Sequence, residues 1–195
     1  MPSFAVQDPE FAESVRRSFD SLTLMRTVGA RLQRVAPGEV EIDLPFRDDL
    51  TQHHGYIAGA VLTAIVDVAC GYAAMTLMAA GASVLTIEYK VNFLLPAQGE
   101  RMLARGRVIR PGRTVTVCSG DVIAFVDGSE KMVATMLATM ATVSRQEPGG
   151  VQSRTSIGRE HTHAVDSRGL HASLRHRWCV CGGVRRRLGN LAAPR

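Results

Sequence analysis

The run from Gly55 to Ala82, GYIAGAVLTAIVDVACGYAAMTLMAAGA, constrains this chain more than any other stretch, because it carries one charge, Asp67. Twelve uncharged residues precede that carboxylate and fifteen follow it. Three structures could house such a segment. A transmembrane helix is the first, and the length suffices. Against it, an Asp at the centre of a span costs roughly 2.5–3.5 kcal/mol, the run is rich in Ala and Gly rather than Leu, and amphipathic strands flank it. The second is a core helix, apolar all round because a sheet wraps it. The third is that same helix carrying a functional acid. A buried carboxylate without a partner is costly, so it must be hydrogen-bonded, face a cleft or titrate upward. At helical spacing its neighbours are Thr63, Val66, Cys70 and Gly71, none of them a cation. The bland outcome is a bond to the backbone of its own helix; perturbed acids cluster at functional sites, which favours the third structure.

The flanks supply the sheet. Residues from about Asp8 to Met25 predict one helix, with Glu10 and Glu13 early and Val15, Phe19 and Leu22 at near-helical spacing. VGARLQRVAPGEVEIDLPF alternates charged and apolar positions around Pro37-Gly38, the pattern of a hairpin. Asp48, Asp49 and Thr51 are loop and cap candidates ahead of the apolar run. After it, Val84, Thr86, Glu88, Lys90 and Asn92 alternate with Leu85, Ile87, Tyr89, Val91 and Phe93, predicting one long half-buried strand ending at Pro96. Three more strands follow, joined by turns at Pro111-Gly112 and Asp127-Gly128, where Gly is expected to supply positive φ. Strands grouped around one segregated helix imply an α+β domain with an antiparallel sheet.

The formal charge of +5 on 195 residues invites a nucleic-acid or membrane partner until it is divided along the chain. Residues 147–195 hold nine Arg against three acids, whereas residues 1–146 hold 14 basic and 15 acidic side chains, a net −1. The basicity belongs to the last quarter, so nucleic acid is not expected as a partner of the body. We take 1–146 as the folded domain and 147–195 as an Arg-rich, disordered tail, its composition lacking period and large apolar residues. Two origins suit such a tail: a frame-shifted or read-through end, or an adhesive arm built on Arg185–Arg187. Cys70 and Cys118 lie in apolar runs, and the Cys179-x-Cys181 pair lacks further ligands at zinc spacing, so no metal is expected. MPSFAVQDPEFAESVRR shows no basic region followed by an apolar one, and a cytoplasmic location is the default expectation.

The spacing of Gln52, Gly59 and Asp67, with six and seven residues between them, resembles the active-site helix of hotdog-fold acyl-CoA thioesterases. The branch it most resembles is the phenylacetic-acid-degradation type, with hydroxybenzoyl-CoA thioesterases nearby. Gly55-Tyr56, the D-x-A-x-G-Y-A-A of Asp67–Ala74, the strand TIEYKVNFLLPA and the Gly112-Arg113 turn fit as well, so the resemblance spans about Leu24 to Val143. It implies an antiparallel sheet wrapped around one long central helix, a homodimer or homotetramer with sites at the dimer interface, and no cofactor. The implied substrate is an acyl-CoA, hydrolysed to free acid and coenzyme A. The Gly59 amide would polarise the carbonyl, Gln52 would position water or carboxylate, and Asp67 of the partner subunit would be general base or nucleophile. Thr86 would help hold the water. Arg110, Gly112 and Arg113 would bind coenzyme A phosphates, and His54 is a further substrate-binding candidate. In place of the family's usual His before the glycine stands Ala58. That departure makes a catalytically silent domain, binding acyl-CoA or a lipid-like ligand, the alternative. Hotdog dehydratases need a His paired with an acid, and only His53 and His54 lie near the helix start.

Overall fold

The computed structural model describes residues 4–144. Two short helices, α1 (Phe11–Ser21) and α2 (Thr23–Val28), precede a hairpin of β1 (Arg31–Ala36) and β2 (Glu39–Pro45). A 3₁₀ turn at Asp48–Leu50 leads to the central helix α3 (Gly59–Met75), and four strands follow: β3 (Ala82–Phe93), β4 (Arg101–Arg110), β5 (Val115–Val126) and β6 (Ser129–Ser144). All pairings are antiparallel, in the order β1-β2-β4-β5-β6-β3. This is the α+β hotdog arrangement, with α3 laid against a six-stranded sheet.

The predicted helix from Asp8 to Met25 is in fact two. Leu22 leaves helical geometry at φ −80° and ψ 98°. Around it Ser21 Oγ donates to the Ser18 carbonyl at 2.7 Å, and Thr27 Oγ1 donates to the Thr23 carbonyl at 2.9 Å. Such local hydroxyl bonds compete with the helical ladder.

Helix α3 covers 17 of the residues in the apolar run, and no helix among the described residues is long and apolar enough to cross a membrane. Asp48, Asp49 and Thr51 do not cap it. Its N-cap is Ala58, with no side-chain bond, while Asp49 is held by Arg47 at 3.0 and 2.6 Å. At its other end Thr76, fully buried, accepts from the Gly38 amide and donates to the Ala73 carbonyl, both at 2.7 Å. That ties the β1–β2 turn to the helix terminus.

Two glycines bring helix and sheet together. A Cβ on Gly106 would lie 2.3 Å from the Ala69 carbonyl carbon, and one on Gly120 would lie 2.5 Å from Val66 Cγ2. Gly106 and Gly120 face each other across β4 and β5. They form a socket into which the α3 backbone sinks. The other face of these strands is polar. Glu39 pairs with Arg34 and with Arg107 (3.2 Å), Glu41 with Arg105 (2.5 Å), and Asp43 with Arg101 (2.8 Å).

The turn at Asp127-Gly128 has φ 48° and 75°, the two positive values a type I′ hairpin needs. Gly112, by contrast, has no positive φ. It is required because a Cβ there would sit 2.1 Å from the Val115 carbonyl oxygen.

Candidate active site

The helix places Asp67 on a stripe that its own sheet does not cover. Leu62, Ile65, Val66, Ala69 and Cys70 are buried, whereas Ala60 is exposed and Thr63, Ala64, Asp67 and Val68 are half-buried. Burial is therefore one-sided as far as Val68, whereas Ala69 to Ala74 are buried all round. Asp67 Oδ1 accepts a 2.8 Å hydrogen bond from Thr86 Oγ1 on β3, so the carboxylate is engaged across to the sheet. Partial burial raises its pKa above the ordinary aspartate value, and the Thr86 bond opposes that rise.

Thr86 reaches Asp67 because β3 is not a simple alternation. The register against β6 shifts between Thr86, opposite Met140, and Glu88, opposite Thr139, so Ile87 is an extra residue in the strand. Before this bulge the even positions Val84 and Thr86 face the helix side. After it the odd positions Tyr89, Val91 and Phe93 do, lining the same cleft as Asp67. A bulge re-aims side chains in this way, and the expected single alternation is corrected by it. The expectation of a half-buried strand also changes. Leu85, Ile87, Tyr89 and Phe93 are 61%, 58%, 48% and 52% exposed on this edge strand.

A cleft of about 450 Å³ runs along the uncovered stripe, lined by Gly59, Ala60, Thr63, Ala64, Asp67 and the β3 residues Tyr89, Val91 and Phe93. At its head the Gly59 and Ala60 amides begin α3, and among the described residues neither donates to a protein acceptor. A helix N-terminus offers such free donors together with a partial positive charge. A Cβ on Gly59 would lie 2.9 Å from Phe93 Cζ, so glycine lets that ring close over the helix start.

The other sequence-derived candidates distribute as follows. Gln52 shares a second cleft, of about 390 Å³, with Gly59, Phe93, Leu94 and Leu95. Its side-chain oxygen accepts from the His54 amide. His53 and His54 are exposed, with ring centroids 3.9 Å apart. Arg110, Gly112 and Arg113 are exposed too. Gly112 and Arg113 line a cleft of about 490 Å³ with Ala74, Leu77 and Met78, at the opposite end of α3 from Gly59. One protomer thus brings Gly59 and Asp67 to one groove, bonds Asp67 to Thr86, sets Gln52 beside Gly59, and leaves Gly112 and Arg113 apart. Tyr89, Val91 and Phe93 were not singled out by sequence as lining residues; the signal was their shared parity, hidden by the bulge at Ile87. Cys70 and Cys118 are buried, with burial pushing the Cys118 thiol up to about 12 and Cys70 up as well, so both are inert packing groups. The Arg-rich segment 147–195 lies outside the described residues.

A six-stranded antiparallel sheet laid on one central helix, with a carboxylate and a free helix-start amide on one groove, is a hotdog arrangement. The sequence profile of the Thioesterase superfamily matches residues 54–130, which hold Gly59, Asp67 and Thr86. A thioesterase family protein from Silicibacter pomeroyi is 46% identical, with a TM-score of 0.68, over 69% of this chain and 99% of that one. The PaaI protein of the Escherichia coli phenylacetic acid degradation operon shares the fold at 14% identity, with a TM-score of 0.64 over 71% of this chain and 96% of its own. A thioesterase from Haemophilus influenzae shares it at 17% identity and a TM-score of 0.61, over 76% and 97% of the two chains. This chain belongs to the thioesterase superfamily, and its chemistry at the level of that family is thioester hydrolysis.

Proposed function

We propose that this protein hydrolyses acyl-CoA thioesters, with Asp67 as general base or nucleophile and the Gly59 amide as the carbonyl-polarising donor. The observation that carries the proposal is the position of Asp67: on the uncovered stripe of α3, bonded to Thr86, in a cleft that begins at Gly59. The thioester oxygen would accept from the Gly59 N–H, in line with the helix dipole. Water held by Asp67 and Thr86 would attack the carbonyl carbon and give its proton to Asp67. Collapse of the tetrahedral oxyanion then breaks the C–S bond, releasing the acid and a thiolate that takes the proton back. In the nucleophilic variant Asp67 attacks first and water hydrolyses the resulting anhydride.

Two protomers are needed for this chemistry. Gly59 and Asp67 are eight residues apart on one helix, about 12 Å along its axis. A carbonyl carbon and its oxygen are only about 1.2 Å apart, so one thioester cannot touch both groups in one subunit. Antiparallel pairing of two β3 edges would run two α3 helices in opposite directions and set Gly59 against Asp67 of the partner subunit. The exposed apolar side chains of β3 support this pairing, since an open edge of that character is a liability unless it is covered. The same pairing would bring the Gly112-Arg113 turn, at the far end of α3, towards the partner's Gly59. Arg110 and Arg113 could then hold the coenzyme A phosphates there. Gln52 and His54 would border the same entrance. With coenzyme A as carrier the substrate is intracellular, which fits a cytoplasmic protein.

Ala58 favours a second reading, a silent domain that binds acyl-CoA. The Ala58 backbone is anchored, its amide donating to the Leu50 carbonyl at 2.9 Å, so the Gly59 donor does not depend on an imidazole. Steady-state hydrolysis of an acyl-CoA panel, run beside calorimetric binding and a sizing column, separates the two. Turnover by a dimer or tetramer supports the hydrolase; tight binding with no turnover selects the silent domain.

A further inference from the structure

Strand β3 runs alongside α3 in the opposite direction, and two contacts fix their relative level. Thr86 Oγ1 bonds Asp67 at 2.8 Å, and a Cβ on Gly71 would lie 3.7 Å from Val84 Cγ1. Gly71 to Asp67 is four residues of helix, about 6 Å, and Val84 to Thr86 is two residues of strand, about 7 Å. The two elements therefore keep pace, four helical residues to two ladder steps. Beyond the extra residue Ile87, two steps along the β6 ladder bring Tyr89, opposite Ala138, level with Thr63. Two more bring Val91, opposite Met136, level with Gly59. Gly59, Thr63, Tyr89 and Val91 do line one cleft.

A two-fold axis that sets Gly59 against Asp67 of the partner subunit passes halfway between them, at Thr63, and therefore at Tyr89 on β3. The flanking charges select the same centre. With Tyr89 opposite the partner's Tyr89, Glu88 stands opposite the partner's Lys90. The symmetry repeats that pair on the other side of the axis. A centre one residue away sets Glu88 against the partner's Glu88, or Lys90 against the partner's Lys90, and like charges directly opposite repel. Glu88 and Lys90 are exposed, and among the described residues neither is in an ion pair, whereas Glu39, Glu41 and Asp43 of β2 are each matched by an Arg of β4. The backbone agrees. Leu94 N–H donates to the Val133 carbonyl at 2.8 Å. Backbone groups alternate sides along a strand, so those of Glu88 and Lys90 face β6, and those of Tyr89 and Val91 face the open edge. Two Tyr89 residues can thus exchange both backbone bonds. The Glu88–Lys90 pairs beside them are then of the close type, with Cα atoms about 4.5 Å apart.

We infer that two copies of this chain join their β3 edges about an axis at Tyr89, and that Glu88 and Lys90 are positioning residues that fix this register by pairing across it. The inference rests on the proposed opposition of Gly59 and the partner's Asp67, and supplies the register that achieves it. Moving the centre by one residue slides one subunit past the other by two, about 7 Å. A slide of that size separates Gly59 from the partner's Asp67 by more than one thioester can bridge. Two surface charges remote from the reacting atoms therefore decide whether the site is assembled.

The test is disulfide trapping in the full chain with Cys179 and Cys181 replaced by Ser, read as covalent dimer on a non-reducing gel, with melting curves to check folding. Glu88→Cys/Lys90→Cys together should cross-link almost completely, because the opposed Cα atoms lie within disulfide range. Either substitution alone should give at least tenfold less covalent dimer, its two copies lying about 7–8 Å apart on the diagonal. Efficient cross-linking by Lys90→Cys alone or by Glu88→Cys alone overturns the register, as does a folded double variant that does not cross-link. A charge swap supplies the second arm. Lys90→Glu should raise the dimer dissociation constant about tenfold and lower kcat/KM at dilute protein, and Glu88→Lys added to it should restore both. A swap that restores neither overturns the pairing. Turnover beside a misplaced cross-link overturns the register and leaves the hydrolase standing. An efficient cross-link in the double variant, with no turnover by the unmodified chain on any acyl-CoA, overturns the hydrolase and leaves the register standing.

Discussion

The two faces of α3 are built to opposite rules. On the sheet side the helix backbone sinks between Gly106 and Gly120, where even one methyl group would collide. On the other side Gly59 and Asp67 border an open cleft, and a methyl on the buried Gly71 would meet nothing closer than 3.7 Å. Both faces use glycine and apolar residues, so composition does not separate them. The difference teaches that close packing on one side holds the helix rigidly enough for the other to present a carboxylate and a free amide at set positions. A partly buried acid is tolerated there because Thr86 bonds it and it borders an open cleft.

The sharpest way to break this contrast is at its polar centre. Asp67→Asn should lower kcat by about 10²–10⁴-fold on any acyl-CoA the protein hydrolyses, measured in steady state. Retained turnover would remove Asp67 from the mechanism. On the packed face, Gly106→Ala should cost about 3 kcal/mol or more, read from urea midpoints, because its Cβ would meet backbone atoms of Ala69 and Cys70 that cannot rotate away. Gly120→Ala should cost less, about 1–2 kcal/mol, since its clashes are with the side chains of Val66 and Cys70. Thr86→Val should lower kcat about 10- to 100-fold, the worth of one hydrogen bond to a charged group, with little change in melting.

The smallest effect concerns pH. Burial raises the Asp67 pKa, so the folded chain holds that proton more tightly than the unfolded chain. Stability from this group falls as pH rises through the window between the two values, and the ionised carboxylate is a net cost at neutral pH. Asp67→Asn, which keeps an acceptor for Thr86, should therefore melt about 1–4 °C higher than wild type at pH 7. The gap should close as pH falls through that window. Turnover should decline over the same acid range as the base is protonated, and a flat pH–rate profile there would argue against general-base catalysis.

Much of the fold was legible because it is local. The Pro37-Gly38 and Asp127-Gly128 turns, the apolar length of α3 and the strand order after it all follow from turn chemistry and hydrophobic pattern. At the site, Gln52, Gly59, Asp67 and Thr86 were candidates through the family resemblance; the fold sets Gly59 and Asp67 on one cleft and bonds Thr86 to Asp67, and their roles belong to the proposal. The misses share one cause. The break at Leu22, the extra residue at Ile87 and the contact that demands Gly112 each depend on which atoms lie opposite, and a one-dimensional pattern does not contain that.

By itself the sequence determined that one long apolar helix carries a single acid and that antiparallel strands surround it, because periodicity and turn residues act over a few positions. Tertiary structure alone decided which stripe of that helix stays open and that Thr86 turns inward to meet Asp67. Those outcomes depend on bulge register and close approach between elements distant in the chain, where a shift of one residue turns a side chain to the other face.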